Sequence, residues 1–160
     1  MLNPPMLFVA FSLAVGLAVG GATPPSGPDI KVLSVSSSGK ILIRMANPSS
    51  RGLRIWRDSN SWGAARWRAI RVRGARVDIW YQTPYQKFTR NFPVFDEIEP
   101  QRSIQTTLDL TQEDWISLTG PAFQSERGDT VVLLYDVPIT VEALEKSVWC
   151  GVATVSITLK

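Results

Sequence analysis

From residue 30 onward this chain is built of short runs in which apolar and polar side chains alternate. Lys31-Val32-Leu33-Ser34-Val35 and Lys40-Ile41-Leu42-Ile43-Arg44-Met45 change polarity with a period near two, and Ser36-Ser37-Ser38-Gly39 separates them. Such a period marks a strand with one covered face, and a Ser/Gly cluster between two of them predicts a hairpin. Asn47-Pro48-Ser49-Ser50-Arg51-Gly52 reads as a second turn, leading into a strand over Leu53-Arg54-Ile55-Trp56. Further strands are predicted over 68–73, 76–82, 104–110, 130–137 and 151–159. Helical spacing is clearest from Thr140 to Val148, where Val141, Leu144 and Val148 fall on one side. A single helical turn is also expected at Thr111, with Asp114 completing a weak capping box.

About seven or eight short strands with one short helix predict an all-β protein, an antiparallel two-sheet sandwich. The layout resembles immunoglobulin and fibronectin-type domains in architecture, without the Cys…Trp…Cys hallmark of true immunoglobulin domains. The succession Asn47-Pro48, Arg54-Ile55-Trp56 and Asn60-Ser61-Trp62-Gly63 also resembles a stamp carried by small secreted proteins of unassigned function.

The sharpest local prediction is a hairpin across Gly74-Ala75, a two-residue loop with glycine first that suits a type II′ turn. Its opposed pairs would be Arg73/Arg76, Val72/Val77, Arg71/Asp78, Ile70/Ile79, Ala69/Trp80 and Arg68/Tyr81. Alternation then puts Ile70, Val72, Val77 and Ile79 on one face, the expected core side. Trp67, Ala69, Arg71, Arg73, Arg76, Asp78 and Trp80 share the other, expected to face solvent. That arginine–tryptophan face resembles the ladder of fibronectin-type cytokine-receptor domains, although their Trp-Ser-X-Trp-Ser motif is not matched. One expectation is internal stacking of guanidinium on indole, at about 0.5–1 kcal/mol per exposed pair. The other is a ligand surface of Trp67, Arg71, Arg73, Arg76 and Trp80, with arginine forks for an anionic glycan or an acidic protein.

Charge sharpens that choice. Eight arginines and three tryptophans lie between Arg51 and Arg76 with one acid, Asp58, among them. Residues 1–76 hold 11 basic and 2 acidic side chains, and residues 77–160 hold 6 and 12, so the halves carry +9 and −6 and sum to +3. The basic half is therefore either an anion-binding surface or one side of an internal charge match, with the acidic C-terminal half folded against it. Nucleic acid is not the expected partner, because the basic residues are nearly all arginines on strands and no nucleic-acid-binding motif accompanies them.

The first 28 residues are uncharged, and Met6 to Val19 forms an apolar run of signal-peptide length. The expected organisation is a signal peptide over 1–22, a Pro/Gly-rich linker over 23–29 and a sandwich domain over 30–160. Secretion follows, with an uncleaved membrane anchor as the alternative and no stable insertion otherwise. Cys150 is the single cysteine, so the domain has no intramolecular disulfide, and its apolar neighbours Val148, Trp149 and Val152 suggest an inert thiol.

The chain has no histidine. That removes Ser-His and Cys-His nucleophile pairs and most zinc or copper sites, and no cofactor or metal is expected. Asn60-Ser61-Trp62-Gly63 looks like the asparagine segment of papain-like proteases, whose cysteine and histidine partners are missing. Asp96-Glu97-Ile98-Glu99 offers paired carboxylates, read as solvated charge, with a carboxylate-only hydrolase as a distant alternative. Arg127-Gly128-Asp129 matches the tripeptide by which several extracellular proteins engage integrins, while Gly128 is equally a turn residue before a strand. The expected entity is a secreted, non-catalytic binding sandwich, with loop-mediated protein interaction or adhesion as the alternative.

Overall fold

The computed structural model describes residues 26–36, 38–58, 61–63, 65–83, 92–112, 115–117, 122–124 and 126–159. The expected leader, residues 23–25 of the expected linker, Asn60 and Asp114 lie outside the described residues. Among those described there are ten strands and one short helix, arranged in three antiparallel sheets, none closed into a barrel. The fold is an all-β sandwich.

One sheet has the order β1 (Asp29–Val35), β2 (Lys40–Ala46), β7 (Ser103–Asp109). The larger runs β10 (Gly151–Thr158), β9 (Thr130–Val137), β4 (Trp67–Arg73), β5 (Arg76–Gln82), β8 (Trp115–Ser117). A short third sheet pairs β3 (Leu53–Trp56) with β6 (Phe95–Ile98). Eight of these strands match the sequence expectation within two residues. β6 was hidden by its Asp-Glu centre, and β8, at three residues, is too short to show a period.

Asn47 ties the small sheet to the first one. It is 1% exposed, and its Nδ2 donates to the carbonyls of Arg51 (2.7 Å) and Ile98 (2.8 Å) while its Oδ1 accepts from the Ser49 N–H and hydroxyl. A side chain expected only to start a turn thus satisfies carbonyls from the approaches to β3 and β6, groups that would otherwise be costly to bury.

The β4–β5 hairpin has the expected register at every predicted pair, from Arg73↔Arg76 to Arg68↔Tyr81. Gly74 supplies the positive φ (+57°) at the first loop position. The expected faces, however, are reversed. Trp67, Ala69 and Trp80 are at most 1% exposed, Arg71 is 5% and Asp78 2% exposed, while Val72 and Val77 are 41% and 47% exposed. Register between β4 and β9 explains the choice: Trp67, Ala69 and Arg71 lie opposite Tyr135, Leu133 and Val131, all buried. That face carries two indoles, each burying about 150–250 Å², which outweighs four smaller aliphatic side chains. Its two buried charges, Arg71 and Asp78, lie opposite one another and neutralise each other.

The helix α1 (Val141–Glu145) is also turned differently from expectation. Thr140 caps it, its hydroxyl accepting from the Ala143 N–H at 3.2 Å. Ala143 and Val148 are buried, whereas Val141 and Leu144 point outward. A helix of five residues cannot sustain one apolar stripe, so its single small buried residue sets its orientation.

Candidate functional site

Antiparallel pairing sets Arg71 of β4 directly between Asp78 of β5 and Val131 of β9. The Arg71 guanidinium lies 4.9 Å from the Trp80 ring centre and 6.0 Å from that of Phe123, with Phe123 edge-on to Trp80 at 5.2 Å. Its Nε and Nη2 donate to Asp78 Oδ2 at 3.2 and 2.7 Å. Its Nη1 donates to the Gln124 carbonyl at 2.8 Å and reaches Asp129 Oδ2 at 3.5 Å. Every nitrogen of this fork is therefore occupied from within the chain.

The neighbouring arginines serve the same two carboxylates. Arg73 grips Asp129 with two hydrogen bonds, of 2.8 and 2.6 Å, and lies 3.0 Å from Glu126. Arg76 Nε donates to Asp78 Oδ1 at 2.9 Å. Three arginines and three acids make a neutral cluster, with charge-assisted bonds of the strong, short kind. The hydrogen bond from Arg71, helped by Arg76 and opposed by desolvation, holds the Asp78 carboxyl below the usual carboxylate range. Arg73 does the same for Asp129, again against desolvation.

The predicted ligand-binding residues are only partly brought together. Arg71, Arg73, Arg76 and Trp80 converge, but Trp67 lies at the far end of β4, packed at a tilt of 43° on Tyr135 with ring centres 4.9 Å apart. It belongs to a separate aromatic group in which Trp149 stacks on Tyr135 at 6.2 Å and 11°. Burial holds the Tyr135 phenol above its usual value. The adhesion tripeptide is split as well. Arg127 and Gly128 are exposed, but Asp129 is 5% exposed and gripped by Arg73. An integrin-type ligand needs that aspartate free.

Phe123, the Gln124 carbonyl and Asp129 complete the arginine cluster, and sequence spacing did not indicate them. They arrive from the segment before β9, more than 50 residues away in the chain. The one available signal was the charge imbalance between the two halves, which called for acids to meet the arginines.

That match extends to most of the basic stretch. Arg54 pairs with Glu97 at 3.1 Å, Arg57 with Asp96 at 2.8 Å and Arg68 with Asp136 at 2.9 Å. In the candidate carboxylate run 96–99, Asp96 and Glu97 therefore sit on β6 opposite arginines of the β3 region. Cys150 is half-buried, its thiol donates to the Val148 carbonyl at 3.5 Å, and desolvation raises its pKa. Among the described residues no three Cys, Asp or Glu side chains group as metal ligands, and no helix is long and apolar enough to cross a membrane.

No protein-family model, curated protein or solved structure matches the chain. The functional reading therefore rests on geometry.

A pH dependence follows from the cluster. Asp78 and Asp129 titrate lower when folded than unfolded, so their stabilisation is full above the unfolded carboxylate range and is lost as pH falls through their folded values. Asp58 acts in the opposite direction. Desolvation and the nearby Asp96, against the Thr106 hydrogen bond, push its carboxyl up from 3.8 to about 6, so its contribution declines as pH rises between those values. Its surface is nonetheless exposed, which screens this opposing slope and leaves it the smaller. Urea midpoints measured across pH are expected to be nearly level above about pH 5 and to fall steeply below about pH 4. A midpoint unchanged down to about pH 2 would show that the two carboxylates are not preferentially ionised in the fold.

Proposed function

We propose that this chain is a secreted, non-catalytic interaction module, in which the arginine–tryptophan cluster is structural and a protein partner docks on loops. One observation carries the reading: the arginines are already satisfied internally. Six of the eight between Arg51 and Arg76, namely Arg54, Arg57, Arg68, Arg71, Arg73 and Arg76, have ion-pair partners within the chain. A glycan sulfate or an acidic protein would have to displace a carboxylate that is already in place, at high local concentration and with its desolvation already met. Polyanion recognition loses its support on that ground.

The layout is immunoglobulin-like in our reading, supported by antiparallel sheets with their core between them. Secretion is supported by the uncharged apolar leader. Sandwich domains commonly bind through connections at the ends of the sheets, and the β9–β10 connection has the composition for it. Ile139 is 75% exposed, Val141 68% and Leu144 64%. Three aliphatic side chains so open within six residues make an apolar knob on a short capped helix, suited to an apolar pocket on another protein.

A photo-reactive residue placed at Leu144, in protein secreted by its native host, tests the reading. The expected result is one discrete crosslinked adduct that disappears with Ile139→Asp while the melting temperature stays put. An adduct indifferent to Ile139→Asp, or no adduct with any secreted or cell-surface protein, would sink it. Heparin retention lost at physiological salt is expected for the parent protein. Tight retention abolished by Arg76→Ser would restore the polyanion reading.

A further inference from the structure

The outer face of the five-stranded sheet carries aliphatic side chains where a solvent-facing sheet would alternate to polar ones. Ile70 lies beside Val132, and Val72 opposite Val77. Leu134 is next to Arg68 on the neighbouring strand, and Ile116 on β8 continues the patch beside Tyr81. Val72, Val77 and Ile116 are 41%, 47% and 43% exposed, and Ile70, Val132 and Leu134 are half-buried. β4, β5 and β9 therefore carry large apolar side chains on both faces, as strands covered from both sides do.

We infer that this face is the contact between two copies of the chain, stacked sheet on sheet. Its charge favours a second copy over a charged partner. Arg68 and Asp136 pair at 2.9 Å on this side, so the face is electrically neutral. An acidic or basic partner would gain nothing, whereas two such faces bring together no like charge. A two-fold axis parallel to the sheets and midway between them brings the two faces together, with each Arg68–Asp136 pair near an apolar neighbour or the other pair. Shape agrees as well, because two sheets of identical twist stack with strands about 30° apart and about 10 Å between layers.

Area sets the strength. Three strands about 4.8 Å apart and about six residues long at about 3.4 Å each, with the three-residue β8 beside them, give a mainly apolar patch of about 340 Å². That is large for a surface meant to stay wet. The polar rim of β10, with Thr154, Ser156 and Thr158 on the same side, extends the face to about 470 Å², well short of the roughly 800 Å² per partner of a standard stable interface and in the range of transient contacts. A reversible dimer of micromolar affinity is the consequence. This contact lies on β4, β5, β8 and β9 and does not depend on the β9–β10 connection proposed above.

Sedimentation equilibrium of the purified protein between about 1 and 100 μM tests it. The expected result is a rise from one to two chain masses across that range. The double substitution Val72→Glu/Val77→Glu is expected to weaken association at least about tenfold without lowering the melting temperature, since both side chains are already half in water. A monomer up to about 100 μM overturns the inference. So does a dimer that the double variant leaves intact, or one that Leu144→Asp abolishes instead. Should the double variant fail to fold, Ile116→Lys on the far strand of the same face is expected to weaken the dimer, and unchanged association in that variant is equally fatal.

Discussion

Replacing Arg71 by methionine is expected to cost about 3 kcal/mol, the lower end of the roughly 3–5 kcal/mol lost when a buried ion pair is broken. The loss has two sources. Asp78 and Asp129 remain nine-tenths buried or more with one arginine fewer, and the Gln124 carbonyl loses the donor at 2.8 Å. Two features keep the value from the upper end. Arg76 still holds Asp78 at 2.9 Å, and Arg73 still donates to both oxygens of Asp129. Methionine also refills the slot between Trp80 and Phe123 with a polarizable side chain. In a domain of this size the loss corresponds to a fall in Tm of about 10 °C.

Arg71→Lys should fall between the two, keeping the charge while losing the planar fork that serves three acceptors at once. Adding Asp78→Leu to Arg71→Met should recover much of the loss, because an apolar pair replaces a half-broken ionic one. Urea unfolding followed by tryptophan fluorescence measures all three. A loss below about 1 kcal/mol for Arg71→Met would show that this cluster contributes no more than a surface ion pair.

Strand positions and hairpin register were legible because alternation and the Gly74-Ala75 loop are local signals. Which face of that hairpin turns inward was not. On β4 and β5 both faces look burial-compatible: one is aliphatic, and the other pairs indoles with charges that cancel. Local pattern favours the aliphatic face, and only the neighbour β9 reverses it, by offering Val131, Leu133 and Tyr135 to the indole side.

The partners of the arginines were legible as a charge sum and not as positions. Asp129 lies 58 residues from Arg71, and nothing in either segment indicates the other. Arginine read as a surface signal is misleading wherever a chain carries an equal stock of acids elsewhere. Burial of Arg71 and Asp78 is affordable because they sit opposite each other on adjacent strands, a relation the register prediction already contained.

Gly63→Ala is expected to be comparably damaging, for a reason that no local pattern reveals. Gly63 is buried in the turn before β4, and a Cβ there would run into the carbonyl carbon and oxygen of Arg57 and come within 2.9 Å of the Asp58 nitrogen. These are backbone atoms, so no side chain can swing aside. The turn has little slack. Ala65 is already left-handed at φ +63°, Trp62 packs on Trp56 with ring centres 6.2 Å apart, and the Trp62 carbonyl accepts from Arg66 Nε. Moving Gly63 away from Arg57 shifts Trp62 and, four residues on from the glycine, the entry of Trp67 into the core. The expected cost is about 3 kcal/mol, the upper part of the range for overfilling a packed site.

Gly74→Ala separates this steric cause from simple loss of glycine. Gly74 has φ +57° but open space around its Cβ position, so alanine there meets only the left-handed penalty of about 1 kcal/mol. Denaturation of the two variants side by side should place Gly63→Ala well below Gly74→Ala, with a changed near-ultraviolet tryptophan signal in the first alone. Equal losses would mean that the turn opens freely, and that Gly63 does not set the approach of Trp62 and Trp67 to the core.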